Sequence, residues 1–236
     1  MSRPFLTARW TNLSLFTYAV PPEILLKRLP AGLELDRRGD EAFVSLVAFD
    51  FEETKVWGIG WPGYRRFAEL NLRYYVRRPG ERGVVFIREI VPQRWTAWLA
   101  RTLYNEPYAT APLISKITEN DSSIVAERRL TWNGHDYRIA LTGKKPAFQP
   151  AEDSVEHFFK EHHWGYGVSN KGRTIRYRVE HPTWDIYPLE SYRLDFDFAD
   201  VYGEEWNFLT QAKPCSVVFA AGSAISVAPK DRTVIA

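Results

Sequence analysis

From Phe67 to Val76 the chain alternates with a period of two. Glu69, Asn71, Arg73 and Tyr75 fall on one face, and Ala68, Leu70, Leu72, Tyr74 and Val76 on the other. Strand side chains point alternately to opposite faces, whereas a helix would scatter this pattern around its girth. The segment is therefore a strand, and its polar face carries a carboxylate, an amide, a guanidinium and a phenol in one row. Such a row is either a solvated outer face, common in antiparallel sheets, or the polar lining of a cavity. Two details favour the lining. Asn is depleted in strands and costs stability there unless a partner uses it. Arg73 also lies one strand period from Asn71 and two from Glu69, so the three can form a connected hydrogen-bonding row.

Most of the remaining chain also reads as strands. Asn12 to Val20 is stopped by Pro21-Pro22, prolines that suit the opening of a short helix over Glu23 to Leu29. Glu41 to Phe51 is apolar on both faces for much of its length, as a strand covered from two sides would be. The loop Gly58-Ile59-Gly60-Trp61-Pro62-Gly63 precedes the Glu69 strand, whose partner is Gly83 to Val91. Pro92 opens a core-packing helix with Trp95, Trp98, Leu99 and Leu103 on one face, and Asn105 to Tyr108 forms its exit. Asn133-Gly134 joins Ser123–Trp132 to Asp136–Leu141 as a hairpin. A second helix starts at Asp153, with Glu156 in capping-box position, and ends before Gly165. Thr174 to Val179, Tyr192 to Phe198 and Ser216 to Val227 complete the strands. No repeat, low-complexity tract or long linker divides residues 1–236. The expectation is a single mainly β domain: a curled antiparallel β-barrel with a central cavity and two or three short helices.

Composition narrows the function. Basic and acidic residues number 31 and 29, for a net charge of +2. The Arg pairs, such as Arg77-Arg78 and Arg128-Arg129, are scattered with acids close by, a mixed surface and not a nucleic-acid footprint. One cysteine, Cys215, excludes an intramolecular disulfide framework and fits a reducing compartment. The first ten residues lack the apolar core of a signal peptide, and the longest apolar run, Ser216 to Ala228, is too short to span a bilayer. A soluble cytoplasmic protein is expected, with no membrane partner. Aromatic residues reach 15%, with nine Trp, enough to line a pocket as well as fill a core.

Other candidate chemistry is weaker. His157, Glu161, His162, His163 and His181 invite a metal reading, but no His-Glu-x-x-His pattern occurs. A metal site would have to be built across elements, and surface or hydrogen-bonded histidines near a helix end are the expectation, with no metal and no cofactor. Asp195 and Asp197 share a strand face that a solvated edge explains. No nucleophile elbow, P-loop or dinucleotide fingerprint is present.

Several segments carry a resemblance that runs nearly end to end. They are Trp10, the Val20-Pro-Pro-Glu to Leu33 stretch, Glu69 to Val76, Ala100-Arg101, Pro107-Tyr108, Phe159 with Glu161 to Tyr166, and His181-Pro182-Thr183-Trp184. In these the chain resembles the uncharacterised YqjF-like family, although the usual family form at Glu161 is Glu-Arg-Tyr, which suits a subgroup. That family is similar in turn to the acetoacetate decarboxylase superfamily. The resemblance implies a curled barrel with the Glu69 row facing inward. The decarboxylase forms a Schiff base on a lysine in a Pro-Lys-Lys motif, the nucleophile's pKa being depressed by its neighbour. On that alignment Pro107 is followed by Tyr108 and Ala109, so both lysines are missing. Glu69 falls where the decarboxylase has an active-site glutamate; its other cavity glutamate falls near Ser45 and its N-terminal arginine near Thr11, with Arg9 close by. Lys116, the nearest alternative amine, is expected to lie off the cavity.

Two functions follow. One is a binding module for a small anionic or carbonyl-bearing metabolite, held by Asn71, Arg73, Tyr75, Tyr108 and His181. The other is a lyase- or isomerase-type enzyme without covalent catalysis, with Glu69 as general acid or base and Arg73 or Tyr108 stabilising an oxyanion. A raised pKa at Glu69 would favour the second reading, and a low one the first. His181, held extended by Pro182, is expected to reach a polar group at the cavity rim while Trp184 packs on the wall. A homo-oligomer remains open.

Overall fold

The computed structural model describes residues 4–61, 63, 65–93 and 107–235. The helix expected over Trp95, Trp98, Leu99 and Leu103 lies outside them. The strands are β1 (Leu6–Val20), β2 (Glu34–Leu35), β3 (Ala42–Val56), β4 (Phe67–Arg78), β5 (Glu81–Val91), β6 (Tyr108–Thr110) and β7 (Leu113–Glu119). They continue as β8 (Ser123–Trp132), β9 (His135–Lys144), β10 (Trp164–Val168), β11 (Thr174–Glu180), β12 (Leu189–Asp195), β13 (Ser216–Val227) and β14 (Asp231–Ile235). Helices α1 (Pro22–Leu26), α2 (Val155–Lys160) and α3 (Phe198–Tyr202), with a 3-10 turn over Glu204–Leu209, are all short.

A 10-stranded sheet runs β2-β4-β3-β1-β13-β11-β10-β5-β6, with β14 on β11, and β4 pairs again with β5, which brings the sheet round on itself. The ladders of β1 with β3 and with β13 are long. The closing seams are not. β11 meets β13 only at Val179↔Val227 and Glu180↔Ser226, and β10 meets β5 over Trp164 to Tyr166. The β5–β10 and β5–β6 pairs are also parallel. The expected mainly β, curled fold is observed, as a curled sheet of mixed sense and not a strict antiparallel barrel. The long crossover between β5 and β10 is what permits a parallel pair there.

A 4-stranded sheet, β12-β9-β8-β7, covers the outside of this curl. Ala68, Leu70, Leu72, Tyr74 and Val76 of β4 share one buried cluster with Ile124, Ala126, Ile139 and Leu141 of β8 and β9. Each such side chain, fully buried, contributes roughly 1.5–3 kcal/mol. The pattern of β4 is therefore resolved: its apolar face meets the second sheet, and its polar face turns into the curl. Arg128 of β8, read from sequence as part of a mixed surface, is buried and locks the two sheets together. It donates to Asp50 Oδ2 and the Asn12 carbonyl at 2.7 Å each and to Ser14 Oγ at 3.0 Å.

Local chemistry explains most element ends. The Asn133-Gly134 hairpin has both φ angles positive, 48° and 84°, as its twist demands. The second helix is capped by Ser154, whose Oγ accepts from His157 N at 3.1 Å, one residue later than expected. It stops at Lys160, so His162 and His163 are not helical. Asp197 caps α3 by accepting from Ala199 N and Asp200 N and does not continue a strand. β10 escaped the sequence pattern because Gly165 and Gly167 weaken it as a strand. A Cβ at Gly165 would meet Tyr177 Cζ at 2.2 Å, so the ring lying across β10 requires that glycine.

Candidate functional site

Inside the curl lies a cavity of about 360 Å³. Much of its wall is aromatic. Trp10 meets Phe49 and Phe51 edge-on at 5.2 and 5.8 Å, Phe51 stacks on Phe67 at 4.5 Å, and Trp184 stands 6.1 Å from Trp10. Exposed Trp57, Ile59 and Trp61 line it from the loop after β3.

The polar part of the wall is the β4 row. Glu69, Asn71 and Arg73 line the cavity and are only 3%, 1% and 9% exposed. Asn71 Nδ2 donates to Glu69 Oε1 at 3.0 Å, and Tyr108 OH donates to Oε2 at 3.1 Å. Tyr108 reaches the site because β6 pairs with β5, setting Tyr108 opposite Glu89, while Glu89 is opposite Asn71 on β4. Glu89 is buried and lines the same wall. Arg73 Nη2 donates to the Phe159 carbonyl at 3.4 Å. Among the described residues nothing bonds Asn71 Oδ1 or Arg73 Nε, although both atoms are buried.

Burial pushes the Glu69 carboxyl up to about 7, against the hydrogen bonds from Asn71 and Tyr108 and the charge of Arg73. Burial, with the charges of Glu69 and Glu89, also raises Tyr108 well above the usual phenol value. The site therefore holds a carboxyl group poised to exchange a proton near neutrality, beside a phenol that stays protonated and a guanidinium.

Two expected residues stand off the cavity. Tyr75 continues the row but is not on the wall. It hydrogen-bonds Ser45 Oγ at 2.5 Å and packs at 5.3 Å from Phe159, because α2 closes that end of β4. His181 lies behind the wall, its ring 4.3 Å from Trp184 and 4.6 Å from His163, with its side chain 1% exposed. Trp184 is on the wall as expected, its Nε1 donating to Ser223 Oγ at 2.9 Å. Arg9 and Lys116 are exposed and do not line the cavity.

Besides Glu89, two further polar wall residues were not assigned to the cavity from sequence. Lys160 has a fully buried side chain, lines the cavity and donates to Glu161 Oε1 at 2.5 Å. His162, also on the wall, is 8% exposed; burial lowers it to about 4, so its ring is neutral at pH 7. Its Nε2 stands 3.8 Å from Asp36 Oδ2, beyond hydrogen-bond reach, and neither ring nitrogen has a partner among the described residues. The Phe158-Phe159 pair marks this helix end as packed, but no local pattern singles out Lys160 or His162 as buried.

Over residues 7–224 the chain matches DUF2071, an uncharacterised conserved protein family. The chain belongs to this family. Similar to it is the uncharacterised family protein YqjF of Bacillus subtilis (strain 168), 25% identical over 183 residues, 77% of this chain and 75% of that one. Among solved structures, the acetoacetate decarboxylase of Legionella pneumophila aligns with a TM-score of 0.63 at 16% identity, covering 98% of this chain and 87% of that one. The enduracididine biosynthesis enzyme MppR complexed with pyruvate aligns with a TM-score of 0.64 at 14% identity, covering 100% and 92%. At these identities the likeness establishes a fold shared by this DUF2071 member and acetoacetate decarboxylase-like enzymes. No described helix is long and apolar enough to cross a membrane.

Proposed function

We propose that this DUF2071 protein binds a small molecule with an apolar or aromatic body and a carboxylate or carbonyl head. The observation that carries the reading is Arg73 Nε, a buried donor on the cavity wall with no partner among the described residues. An unsatisfied buried polar group costs about 1–3 kcal/mol, a penalty that a bound polar head relieves. Arg73 offers a donor to an anion or carbonyl oxygen, and the Trp10–Phe51–Phe67 wall receives the apolar part. MppR, of the same fold, has been captured with pyruvate, a molecule with both head groups.

A second reading rests on the Glu69 carboxyl, pushed up to about 7, the direction that favours an acid–base role over plain binding. In it, Glu69 removes a proton from the carbon next to the ligand's carbonyl, the electron pair moves onto the carbonyl oxygen as an enolate, and Arg73 or Tyr108 stabilises that oxygen. Return of the proton from Glu69 completes an exchange or an isomerisation.

Calorimetric titration with pyruvate, phenylpyruvate and hexanoate tests the first reading. Saturable binding of phenylpyruvate, weakened at least tenfold in Arg73→Gln, is expected; no binding of any of the three would sink it. Proton NMR of phenylpyruvate in deuterated buffer tests the second. Protein-dependent loss of the methylene signal, abolished in Glu69→Gln, is expected if Glu69 works as a base; binding without exchange leaves a binding module.

A further inference from the structure

Beside the cavity, and separate from its polar row, three side chains from two segments of the chain converge. Glu161 follows the end of α2, His163 precedes β10, and His181 follows β11. One ligand atom of each lies within 4.8 Å of the other two. Glu161 and His163 are each fixed through one of their atoms. Glu161 Oε1 accepts from Lys160 Nζ at 2.5 Å and from Trp184 N at 3.2 Å. Its Oε2 has no hydrogen bond among the described residues and stands 4.0 Å from His181 Nδ1. The His163 ring is anchored by a contact of 3.3 Å between Nδ1 and the Val179 carbonyl, and its Nε2 has no hydrogen bond among the described residues.

His181 is the telling member. Its Nδ1 lies 2.9 Å from the Pro182 carbonyl and its Nε2 3.4 Å from the His162 carbonyl. A neutral imidazole has one N–H, so one of its nitrogens faces a carbonyl oxygen lone pair to lone pair. That arrangement calls for a positive charge: a second proton on the ring, or a cation taking the free lone pair. A carboxylate oxygen beside two imidazoles is a donor set for a borderline divalent ion, and backbone carbonyls on the second ring nitrogens are the usual supports of such ligands.

We propose that Glu161, His163 and His181 bind one divalent transition-metal ion of the zinc class. Bonds of about 2.0–2.2 Å bring tetrahedral donors to roughly 3.4 Å apart, so the three side chains close by about an ångström. Three protein ligands leave a fourth position for water, and His163, on the exposed side, gives the ion its way in. The site also has a link to the cavity. Glu161 would hold the ion through Oε2 and Lys160 through Oε1, so occupancy fixes where the cavity-lining Lys160 ammonium points.

The test is a Zn²⁺ titration of the chelator-stripped full chain in competition with a chromophoric chelator, with Co²⁺ absorption as a second readout. One equivalent should bind with micromolar or tighter affinity, and Co²⁺ should give the intense visible bands of four-coordination. His163→Ala changes an exposed residue, so its fold should survive, as circular dichroism will report, and its affinity should fall at least tenfold; Glu161→Gln should behave likewise. Absence of saturable binding to the wild type overturns the proposal. So does unchanged affinity in folded His163→Ala, which would assign the ion to other groups.

Discussion

Glu69 shows how far an inward-facing position changes an ordinary side chain. With its carboxyl pushed from 4.5 up to about 7 by burial, the folded state holds a proton that the unfolded chain has already released. The stability associated with that proton is fully present below about pH 4.5 and is lost as the pH rises through 7. The shift corresponds to about 3 kcal/mol as an upper bound. Glu69→Gln removes this dependence, so urea denaturation should find the variant gaining stability on wild type between pH 5 and pH 8; a constant difference would mean that Glu69 is ionised throughout. A second prediction concerns the amines. Tyr108 and Ala109 follow Pro107, Lys116 is exposed, and Lys160 is tied to Glu161. Incubation with acetoacetate and borohydride should therefore leave the intact mass unchanged. An adduct mapped to Lys160 would convert the cavity to covalent chemistry. The place of Glu69, Asn71 and Arg73 on one polar face was legible in the alternation of one strand. That of Lys160 was not, because no local pattern tells a buried lysine from a solvated one at a helix end.

At the level of elements, the narrow β5–β10 seam decides whether the sheet curls around a cavity. Gly83 lies in this seam, paired with Trp164, and a Cβ there would stand 2.5 Å from the Trp164 carbonyl and 2.6 Å from Tyr166 Cε2. Gly83→Ala should cost about 1–3 kcal/mol through overpacking and push β10 outward. Thermal melts would register the loss, and weaker binding of a cavity ligand would register the movement; a variant as stable as wild type would mean that the seam is more yielding than drawn. Strands with clean alternation or two-sided apolar runs, such as β3 and β4, were readable in advance. β10 was not, since the glycines that let it approach β5 and pass beneath Tyr177 are the residues that weaken a strand pattern.

For the molecule as a whole, one ion pair ties the outer sheet to the curl. Arg128, with a side chain 1% exposed, meets Asp50 at 2.7 Å. Removing one partner of a buried pair strands the other charge and typically costs 3–5 kcal/mol. Asp50→Ala should accordingly lower the unfolding free energy, read from urea denaturation, by that order. The transition should remain single, because Leu70 and Leu72 still share a cluster with Ile124 and Ile139. Two separated transitions would show that the sheets fold independently once the clamp is gone.

The sequence by itself determined the mainly β architecture, the hairpin at Asn133-Gly134, the two-sided burial of Glu41 to Phe51 and the placing of Glu69, Asn71 and Arg73 in one row. All of these follow from rules that operate within a few residues: side-chain alternation, turn stereochemistry and the exclusion of proline and glycine from regular ladders. Only the tertiary structure decided that the row faces a cavity and not solvent, since that depends on which sheet covers the opposite face of β4. It likewise removed Tyr75 and His181 from the wall and brought in Lys160 and His162. It also gathered Glu161, His163 and His181 across a gap of twenty residues. Contacts between distant segments are set by how the sheet curls and where α2 ends. These are sums over many packing interactions, and no short stretch of sequence encodes them.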